Sequence, residues 1–389
     1  MISRLKRNPG YAAVIGLIFI CLMAFYAAAH PFYPWTRDDW WQINFMRLPI
    51  PTHLEYNPTK ILPETVLPLT AYLSVWFVYP LTHDYLGALS LGFAFTLSLF
   101  ALLYVVSFGW LVRKTLSVKS GLLSFMTVSF TLFHFLVFGR KGDGVSTLCL
   151  WGSDYLNNVF NYILPAFANL SLSLFILTDR DRKRFSRMSM TGRSLFVLAV
   201  YLCINSNIFQ SVILMSALFS QSLVYIISER KDLTLRKIMK ARAMDLIILA
   251  VFLGAAFMEI TGSRADSFSG SSLSETLSWF LKAIREQWIL FPAISLFLIL
   301  CSLVLFSFRM KKGEGRGEDR LFIRVLAELF IMTIMTGLCD ILICTRVRAD
   351  YIYGHKVMIG VISCTAVMAM YSAAYLFMNI KALTYAMPL

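Results

Sequence analysis

Long uncharged runs of apolar residues alternate with short polar segments along most of this 389-residue chain. A helix needs about 20 apolar residues to cross the roughly 30 Å hydrocarbon core of a bilayer. Runs of about this length predict membrane-spanning helices near residues 11–29, 86–112, 121–138, 158–178, 244–260, 288–308, 324–344 and 356–380.

The apolar run 195–227 is longer than one span, and Asn205, Ser206 and Asn207 interrupt it. We interpret it as two helices joined by a tight turn. The pattern therefore predicts an all-α fold, in which residues 1–389 form one polytopic transmembrane bundle with about ten spans.

The segment 65–80 is apolar but short for a span, and it contains Pro68 and Pro80. Its apolar side chains recur at about helical spacing, at Leu62, Val66, Leu69, Leu73 and Trp76. We expect an amphipathic helix at the outer membrane surface, within a first outer loop of about 30–85.

Basic residues are concentrated in every second connecting segment. Those segments hold 25 of the 36 Lys and Arg residues, near 4–7, 113–119, 179–194, 228–243, 309–324 and 381. Cytoplasmic loops of membrane proteins carry an excess of Lys and Arg. We therefore expect both termini in the cytoplasm and the loop 30–85 on the opposite face.

The composition excludes several classes of function. Hydrophobic residues make up 58% of the chain and charged residues 15%, which is typical of a polytopic membrane protein. The net charge of +14 does not indicate a nucleic-acid partner, because no soluble segment is long enough to carry a basic binding face. Seven scattered cysteines without a C-x-x-C pair indicate packing residues. The absence of a Walker sequence argues against an ATP-driven pump.

An acidic pair, Asp38 and Asp39, directly follows the first span, where charges beside a bilayer need a reason. One interpretation is catalysis, in which a carboxylate accepts a proton from an acceptor hydroxyl or the pair holds a divalent metal. A second is structural, because Asp can cap a helix that begins at Trp40. A third is a solvated loop.

Aromatic side chains surround this pair, at Tyr33, Trp35, Trp40 and Trp41. Trp and Tyr are enriched at membrane interfaces for general reasons. Stacking of Trp40 and Trp41 on a sugar ring is the functional alternative.

The last outer segment, 345–356, departs from the positive-inside pattern with Arg346, Arg348 and Lys356. We predict that these cations bind a phosphate or pyrophosphate at the bilayer surface. The alternative is pairing with Asp340 or Asp350, or with lipid headgroups.

Further polar residues on the predicted outer face are candidates for substrate binding. They are Tyr351 and His355 in the last outer segment, the cations Arg140 and Lys141, and the amides Asn205 and Asn207 at the hairpin turn. Glu259 and Asp340 lie near the outer ends of their spans, where an acid is a functional candidate or pairs with a nearby cation.

One span, an acidic pair, a surface helix and a crown of further spans together resemble the GT-C class of integral-membrane glycosyltransferases. Within that class, the chain resembles bacterial enzymes that decorate O-antigen, including serotype-converting glucosyltransferases. Three short stretches add to the resemblance: 56–64 before the surface helix, 150–156 with Asp154, and 203–210 with Asn205 and Asn207.

The resemblance implies transfer of a sugar, such as glucose, from a polyprenyl-phosphate-linked donor to lipopolysaccharide O-antigen or another surface glycan. The reaction would take place on the periplasmic side of a bacterial inner membrane, with a separate enzyme and a flippase supplying the donor. The resemblance also implies Asp38 or Asp39 as the base or metal ligand and Glu64 as a supporting acid. A divalent metal is the one cofactor that the pair suggests.

Three other functions fit parts of the sequence. An O-antigen polymerase uses the same donors, but those proteins tend to carry a large arginine-bearing loop between later spans, and the later outer loops here are short. A lipid-linked sugar flippase or transporter needs a polar path, whereas the predicted span centres are nearly free of charge. A non-catalytic assembly subunit is the third alternative.

Overall fold

The computed structural model describes residues 9–136, 138–140, 147–149, 151–153, 155–179, 185, 187–229, 234–288, 290–313 and 315–379. Helices dominate this part of the chain, as the hydropathy pattern predicts. They are α1 Pro9–Ala24, α2 Arg37–Asn44, α3 Ile61–Phe77, α4 Tyr79–Thr82, α5 Tyr85–Leu116, α6 Ser120–Leu136, α7 Leu156–Asn158, α8 Leu164–Leu177, α9 Met190–Ile204, α10 Ile208–Glu229, α11 Leu235–Thr261, α12 Leu273–Gln287, α13 Leu290–Lys311, α14 Gly317–Val347 and α15 His355–Asn379.

Short irregular elements complete the fold. π-helical stretches at Phe25–Ala29 and Val159–Ile163 follow α1 and precede α8, and 3-10 turns lie at Ala265–Ser267 and Ala349–Tyr353. An antiparallel hairpin pairs β1, Phe138–Arg140, with β2, Thr147–Cys149, so that Gly139 faces Leu148. The sequence pattern does not indicate this hairpin.

Nine helices in the described residues are long and apolar enough to cross a membrane. Eight of them correspond to predicted spans, and the ninth is Ile61–Thr82, where we expected a surface helix. Two further predicted spans form shorter apolar helices, Ser120–Phe135 and Met190–Ile204. The predicted turn at 205–207 is confirmed, because α9 ends at Ile204 and α10 begins at Ile208.

The helices divide into a centre and a periphery. In the most apolar 18-residue window of α15, 89% of the residues are buried, compared with 11% in the corresponding window of α11. Helix α8 is also central and packs along α5, with Tyr104 stacked on Phe167. A peripheral helix with exposed leucines and phenylalanines is what a lipid-facing position requires.

Helices α3 and α5 form an antiparallel pair. The hydroxyls of Thr70 and Thr96 are 3.0 Å apart, and a Cβ on Gly92 would overlap the Ser74 side chain. Glycine at position 92 therefore permits the close approach of the two helices. The opposite face of α3 exposes apolar side chains, at Leu69, Tyr72, Leu73, Trp76 and Phe77.

Helix α1 packs antiparallel to α5. The rings of Phe19 and Phe95 lie 5.9 Å apart. The Tyr11 hydroxyl lies against Gly109, where a Cβ would be only 2.5 Å away, and Thr127 of α6 adjoins the same point. The start of α1, the end of α5 and the start of α6 therefore lie at one end of the bundle.

Helix α12 is an amphipathic helix that the span pattern does not indicate, because charged and polar residues interrupt its apolar positions. The Ser272 hydroxyl caps it by accepting the backbone N–H of Glu275 at 3.2 Å. Thr276 and Ala283 are buried, whereas Leu273, Leu277 and Leu281 form an exposed stripe at helical spacing.

Candidate functional site

Helix α2 carries the acidic pair and begins at Arg37, three residues before the start we considered from the sequence. Thr36 is its N-cap. The Thr36 hydroxyl accepts the Asp39 backbone N–H at 3.2 Å, and Asp39 Oδ2 accepts the backbone N–H groups of Thr36 and Trp35 at 2.9 and 3.0 Å. This reciprocal arrangement is a capping box, with aspartate in place of the usual glutamate.

The second oxygen of Asp39 joins α2 to a distant part of the chain. Oδ1 accepts the backbone N–H of Asn157, in α7, at 2.8 Å, and the Asp39 side chain is fully buried. Three backbone donors therefore occupy this carboxylate, which has a structural role at the helix start, although Thr36 and not an aspartate is the N-cap. The neighbouring Asp38 is exposed to solvent.

The acidic pair does not fit a shared metal site in this conformation, because both Asp39 oxygens already accept backbone N–H groups. Elsewhere in the described residues, no group of three or more His, Cys, Asp or Glu side chains is placed to hold a metal ion.

Glu64, the predicted supporting acid, lies in the first turn of α3 and is buried against Arg47. Arg47 Nη1 lies 2.7 Å from Glu64 Oε2, and the two side chains are 8% and 3% exposed. Asn57 Nδ2 donates to Glu64 Oε1 at 2.8 Å, and the Arg47 guanidinium also donates to the carbonyl oxygens of Asn57 and Pro58. Glu64 therefore fixes the loop that leads to Lys60.

A cavity of about 220 Å³ opens at the end of the bundle to which this loop leads. We call it the cationic cavity, because among the described residues Lys60, Arg264 and Arg346 line it together with one carboxylate, that of Glu259. The remaining lining comes from Tyr162, Asn207, Ile208, Phe209, Ile260, Ala265, Phe268, Leu342, Ile343, Val347 and Tyr351.

Six separate segments build the cationic cavity. They are the residue before α3, the stretch before α8, the start of α10, the end of α11 with the loop after it, the end of α14, and the 3-10 turn that follows. The starts of α8 and α10 and the ends of α11 and α14 therefore meet at the same end of the bundle.

Lys60 is the most buried cation of the cavity, with 7% of its surface exposed. Burial lowers the pKa of its ammonium from 10.5 to about 7, and the positive charges of Arg264 and Lys356 act in the same direction. The negative charges of Glu259 and Glu64 oppose them. An anion that enters the cavity would favour the charged form of Lys60.

The end of α11 is attached to the loop before α3. The Thr59 hydroxyl donates to Glu259 Oε2 at 2.7 Å, and Arg264 Nη1 donates to Asn57 Oδ1 at 3.2 Å. Gly262 permits this approach, because a Cβ there would lie 2.9 Å from the Glu55 carbonyl oxygen. Glu259 and Arg264 thus hold fixed positions relative to Lys60.

Two tyrosines form another wall of the cavity, and a lysine lies against them. The hydroxyls of Tyr162 and Tyr351 lie 3.2 Å apart. The Lys356 ammonium lies 5.3 Å from the centre of the Tyr162 ring and 4.6 Å from that of Tyr351. Lys356 therefore adds positive charge beside the cavity, as its position in the last outer segment predicts.

A buried polar chain links α2 with the cavity wall. Asn161 Nδ2 donates to Gln42 Oε1 at 3.1 Å, and Asn207 Nδ2 donates to the Asn161 carbonyl oxygen at 2.8 Å. Asn207 lines the cavity, whereas Asn205 turns away to donate to the Tyr201 carbonyl oxygen at 3.0 Å. The hairpin turn thus contributes one of its two predicted amides.

Arg348 does not line the cavity, in contrast to our expectation that it would join Arg346. Its guanidinium makes two hydrogen bonds to Asp350, at 3.0 and 2.5 Å, and both side chains are exposed. This is the ion pair that the sequence left open as the alternative. Asp340 is not its partner; this acid is buried in α14, and neither of its oxygens has a hydrogen-bond partner in the described residues.

The other predicted residues lie apart from the cavity lining or outside the described residues. Trp40 and Trp41 are exposed on α2, with Trp41 stacked on Phe45, and His355 begins α15. Arg140 ends β1, while Lys141 and Asp154 lie outside the described residues.

Sequence reasoning did not select Lys60 or Arg264 as site residues. Their segments are separated by about 200 residues along the chain, so no local motif joins them. The available signal was a Lys or Arg residue in a predicted outer loop, where basic residues should be few. The same signal identified Arg346.

No family model matches this chain, and no curated protein or solved structure matches it either.

Proposed function

We propose that this protein is a GT-C type glycosyltransferase that moves a sugar from a polyprenyl-phosphate-linked donor to a surface glycan such as O-antigen. The observation that carries this proposal is the cationic cavity at one end of a bundle of apolar helices. Arg and Lys side chains are the usual ligands of phosphate, and a lipid-linked donor presents its phosphate at the membrane surface.

The orientation of the bundle supports a cavity on the periplasmic face. The end of α10, the start of α11, the end of α13 and the start of α14 lie at the end of the bundle opposite the cavity, and the sequence around these four helix ends is rich in Lys and Arg. Cytoplasmic loops carry this excess. On this basis the cavity faces away from the cytoplasm, and both termini lie inside.

The packing of α1 against α5 bears on the path of α3. The start of α1 and the end of α5 lie at the same end of the bundle, so an even number of crossings separates them. A full crossing by α3 would make that number odd. We therefore propose that α3 enters the outer side of the membrane without crossing it, with its exposed face, from Leu69 to Phe77, toward lipid.

Two exposed apolar stripes lead from the cavity along the lipid-facing surface. On α14 they are Phe330, Ile334, Leu338 and Leu342, and on α11 they are Leu253, Phe257 and Ile260. Leu342 and Ile260 also line the cavity. A prenyl chain that lay along these two stripes would bring its phosphate to Lys60, Arg264 and Arg346.

The cations would assist the reaction as well as binding. When the bond between the anomeric carbon and the phosphate oxygen breaks, the polyprenyl phosphate leaves with an additional negative charge. Positive groups already placed at that position stabilise the developing charge. Of the acidic pair, Asp38 is the member whose carboxylate is exposed to solvent.

Comparison of surface glycans by mass spectrometry, between cells with and without the gene, tests the proposed function. We expect one added hexose per repeat unit in cells that carry the gene, and loss of that mass on deletion. A change in chain length without a change in repeat mass would indicate a polymerase instead. Loss of all surface glycan, with donor accumulating on the cytoplasmic side, would indicate a flippase.

A further inference from the structure

Glu259 has a position that the acidic residues predicted from the sequence do not share. Among the described residues that line the cationic cavity, it is the one carboxylate. Asp39 is bound by three backbone N–H groups, and Glu64 is paired with Arg47 and Asn57. Asp38 is exposed on α2 and is not part of the lining.

The two carboxylate oxygens of Glu259 have different surroundings. Oε2 accepts the Thr59 hydroxyl at 2.7 Å. In the described residues Oε1 takes no hydrogen bond, and the side chain is half-buried beside the opening. A carboxylate held by one oxygen and open at the other is suited to accept a proton from a bound hydroxyl.

The surroundings of Glu259 also fix its direction. Thr59, Gly262 and the pair of Arg264 with Asn57 join the end of α11 to the loop before α3. Glu259 interacts electrostatically with both Lys60 and Arg264, and the positive charges of Lys60 and Arg264 also act on each other. Glu259 and the cations Lys60 and Arg264 thus lie where the end of α11 is joined to the loop before α3.

We propose that Glu259 is the catalytic base of the transfer, a role that rests on the proposed function. The acceptor hydroxyl gives its proton to Glu259 Oε1 while its oxygen forms a bond to the anomeric carbon of the donor sugar. The bond between that carbon and the phosphate oxygen breaks, and its electron pair leaves with the polyprenyl phosphate. Lys60, Arg264 and Arg346 hold the phosphate, and Thr59 positions the base.

The test compares Glu259→Gln with Asp38→Asn. Each substitution is made in the whole chain, and the two variants are compared at equal amounts of protein in the membrane. Glutamine keeps an oxygen that can accept the Thr59 hydroxyl but cannot take the proton. We expect Glu259→Gln to lower the rate of glycan modification by a factor on the order of 100 or more. Asp38→Asn should keep a rate within a few-fold of the native protein.

A binding measurement separates a catalytic role from a structural one. Native mass spectrometry of the purified protein with a polyprenyl monophosphate should give the same affinity for Glu259→Gln as for the native protein. A conservative Glu259→Asp variant should recover part of the modification. Glu55→Gln, in the adjoining loop, serves as the matched control and should change neither quantity.

The outcomes distinguish this inference from the proposed function. If cells with the native protein add a sugar and Glu259→Gln cells add it equally fast, the assignment of the base is wrong while the transferase stands. If Glu259→Gln loses polyprenyl phosphate binding together with modification, its role is structural and the assignment is also wrong. If the native protein adds no sugar, the proposed function itself fails.

Discussion

The acidic pair on α2 and the cationic cavity differ in how the chain builds them. Asp38 and Asp39 are adjacent in sequence, and the Asp39 carboxylate makes two of its three hydrogen bonds within the same short segment. The cavity draws Lys60, Arg264 and Arg346 from segments far apart along the chain. The feature that is most conspicuous in the sequence stabilises a helix start, and the feature with the chemistry of a binding site has no local motif.

This difference follows from what each type of residue needs. An aspartate near a helix start finds free backbone N–H groups within its own turn, so capping is available without any tertiary structure. A phosphate site needs several cations around one point, and their mutual repulsion must be offset by the fold around them. Neighbouring positions of one helix cannot supply that geometry, so distant segments do.

The largest effect on stability is expected in the loop that leads from α2 to the cavity. There Arg47 and Glu64 fix the segment before Lys60. Glu64→Gln should lower the free energy of unfolding by about 3 kcal/mol, because it leaves the buried Arg47 charge without its partner. Thermal unfolding in detergent measures this. The exposed pair of Arg285 and Glu286, 73% and 36% exposed, provides the control. Glu286→Gln should leave thermal unfolding nearly unchanged, because an exposed ion pair contributes little to stability, and equal effects of the two variants would contradict the assigned roles.

The cavity is tested next by removing two of its cations. Arg264→Gln with Arg346→Gln should weaken binding of a polyprenyl monophosphate by about 100-fold, because each charged hydrogen bond contributes about 1.5 kcal/mol or more. Arg348→Gln is the matched control, since Arg348 is paired with Asp350 outside the lining. Native mass spectrometry gives the affinities. Weaker binding in the control than in the double variant would show that the phosphate binds at the exposed loop with Arg348 and not in the cavity.

Asp39→Asn should act on stability, in contrast to its neighbour. The amide nitrogen of asparagine would face at least one of the backbone donors that the carboxylate now accepts, at a cost of about 1–2 kcal/mol. Thermal unfolding should detect this loss in Asp39→Asn and little change in Asp38→Asn, whose side chain is exposed. Full stability of Asp39→Asn with selective loss of glycan modification would restore the catalytic interpretation of the pair.

A smaller effect is expected from pH, through Lys60. Its pKa of about 7 means that the ammonium is charged below pH 7 and loses its proton as the pH rises through that value. The groups that act on it are Glu64 of α3, Glu259 of α11, Arg264 and Lys356. Because binding of an anion favours the charged form, affinity should be highest below pH 7 and fall by up to about 10-fold toward pH 8.5.

The probe for this titration is the methyl ester of a polyprenyl phosphate, whose single charge does not change over the range. In Lys60→Gln the affinity should be lower at pH 6 and nearly independent of pH. A native protein that binds the ester better at pH 8.5 than at pH 6 would show that another group controls the titration.

Much of the fold follows from the sequence, because apolar runs of span length and the amide-rich break at 205–207 are local signals. The start of α2 was predicted three residues late, since Thr36 and not an aspartate is the N-cap. Helix α12 was not predicted, because its exposed leucines alternate with polar residues. Of the site, Arg346, Tyr351 and Asn207 in the lining, and Lys356 beside it, were among the candidates chosen from their positions in outer segments. Lys60, Arg264 and the buried Arg47 were not, because tertiary packing alone brings them together.

The most direct test of the central claim is a structure of the protein in lipid nanodiscs with a polyprenyl monophosphate, determined by electron cryomicroscopy. The account predicts phosphate density within hydrogen-bonding distance of Lys60, Arg264 or Arg346, with the prenyl chain along the exposed stripes of α11 and α14. Phosphate density at the opposite end of the bundle, beside the starts of α11 and α14, would contradict it.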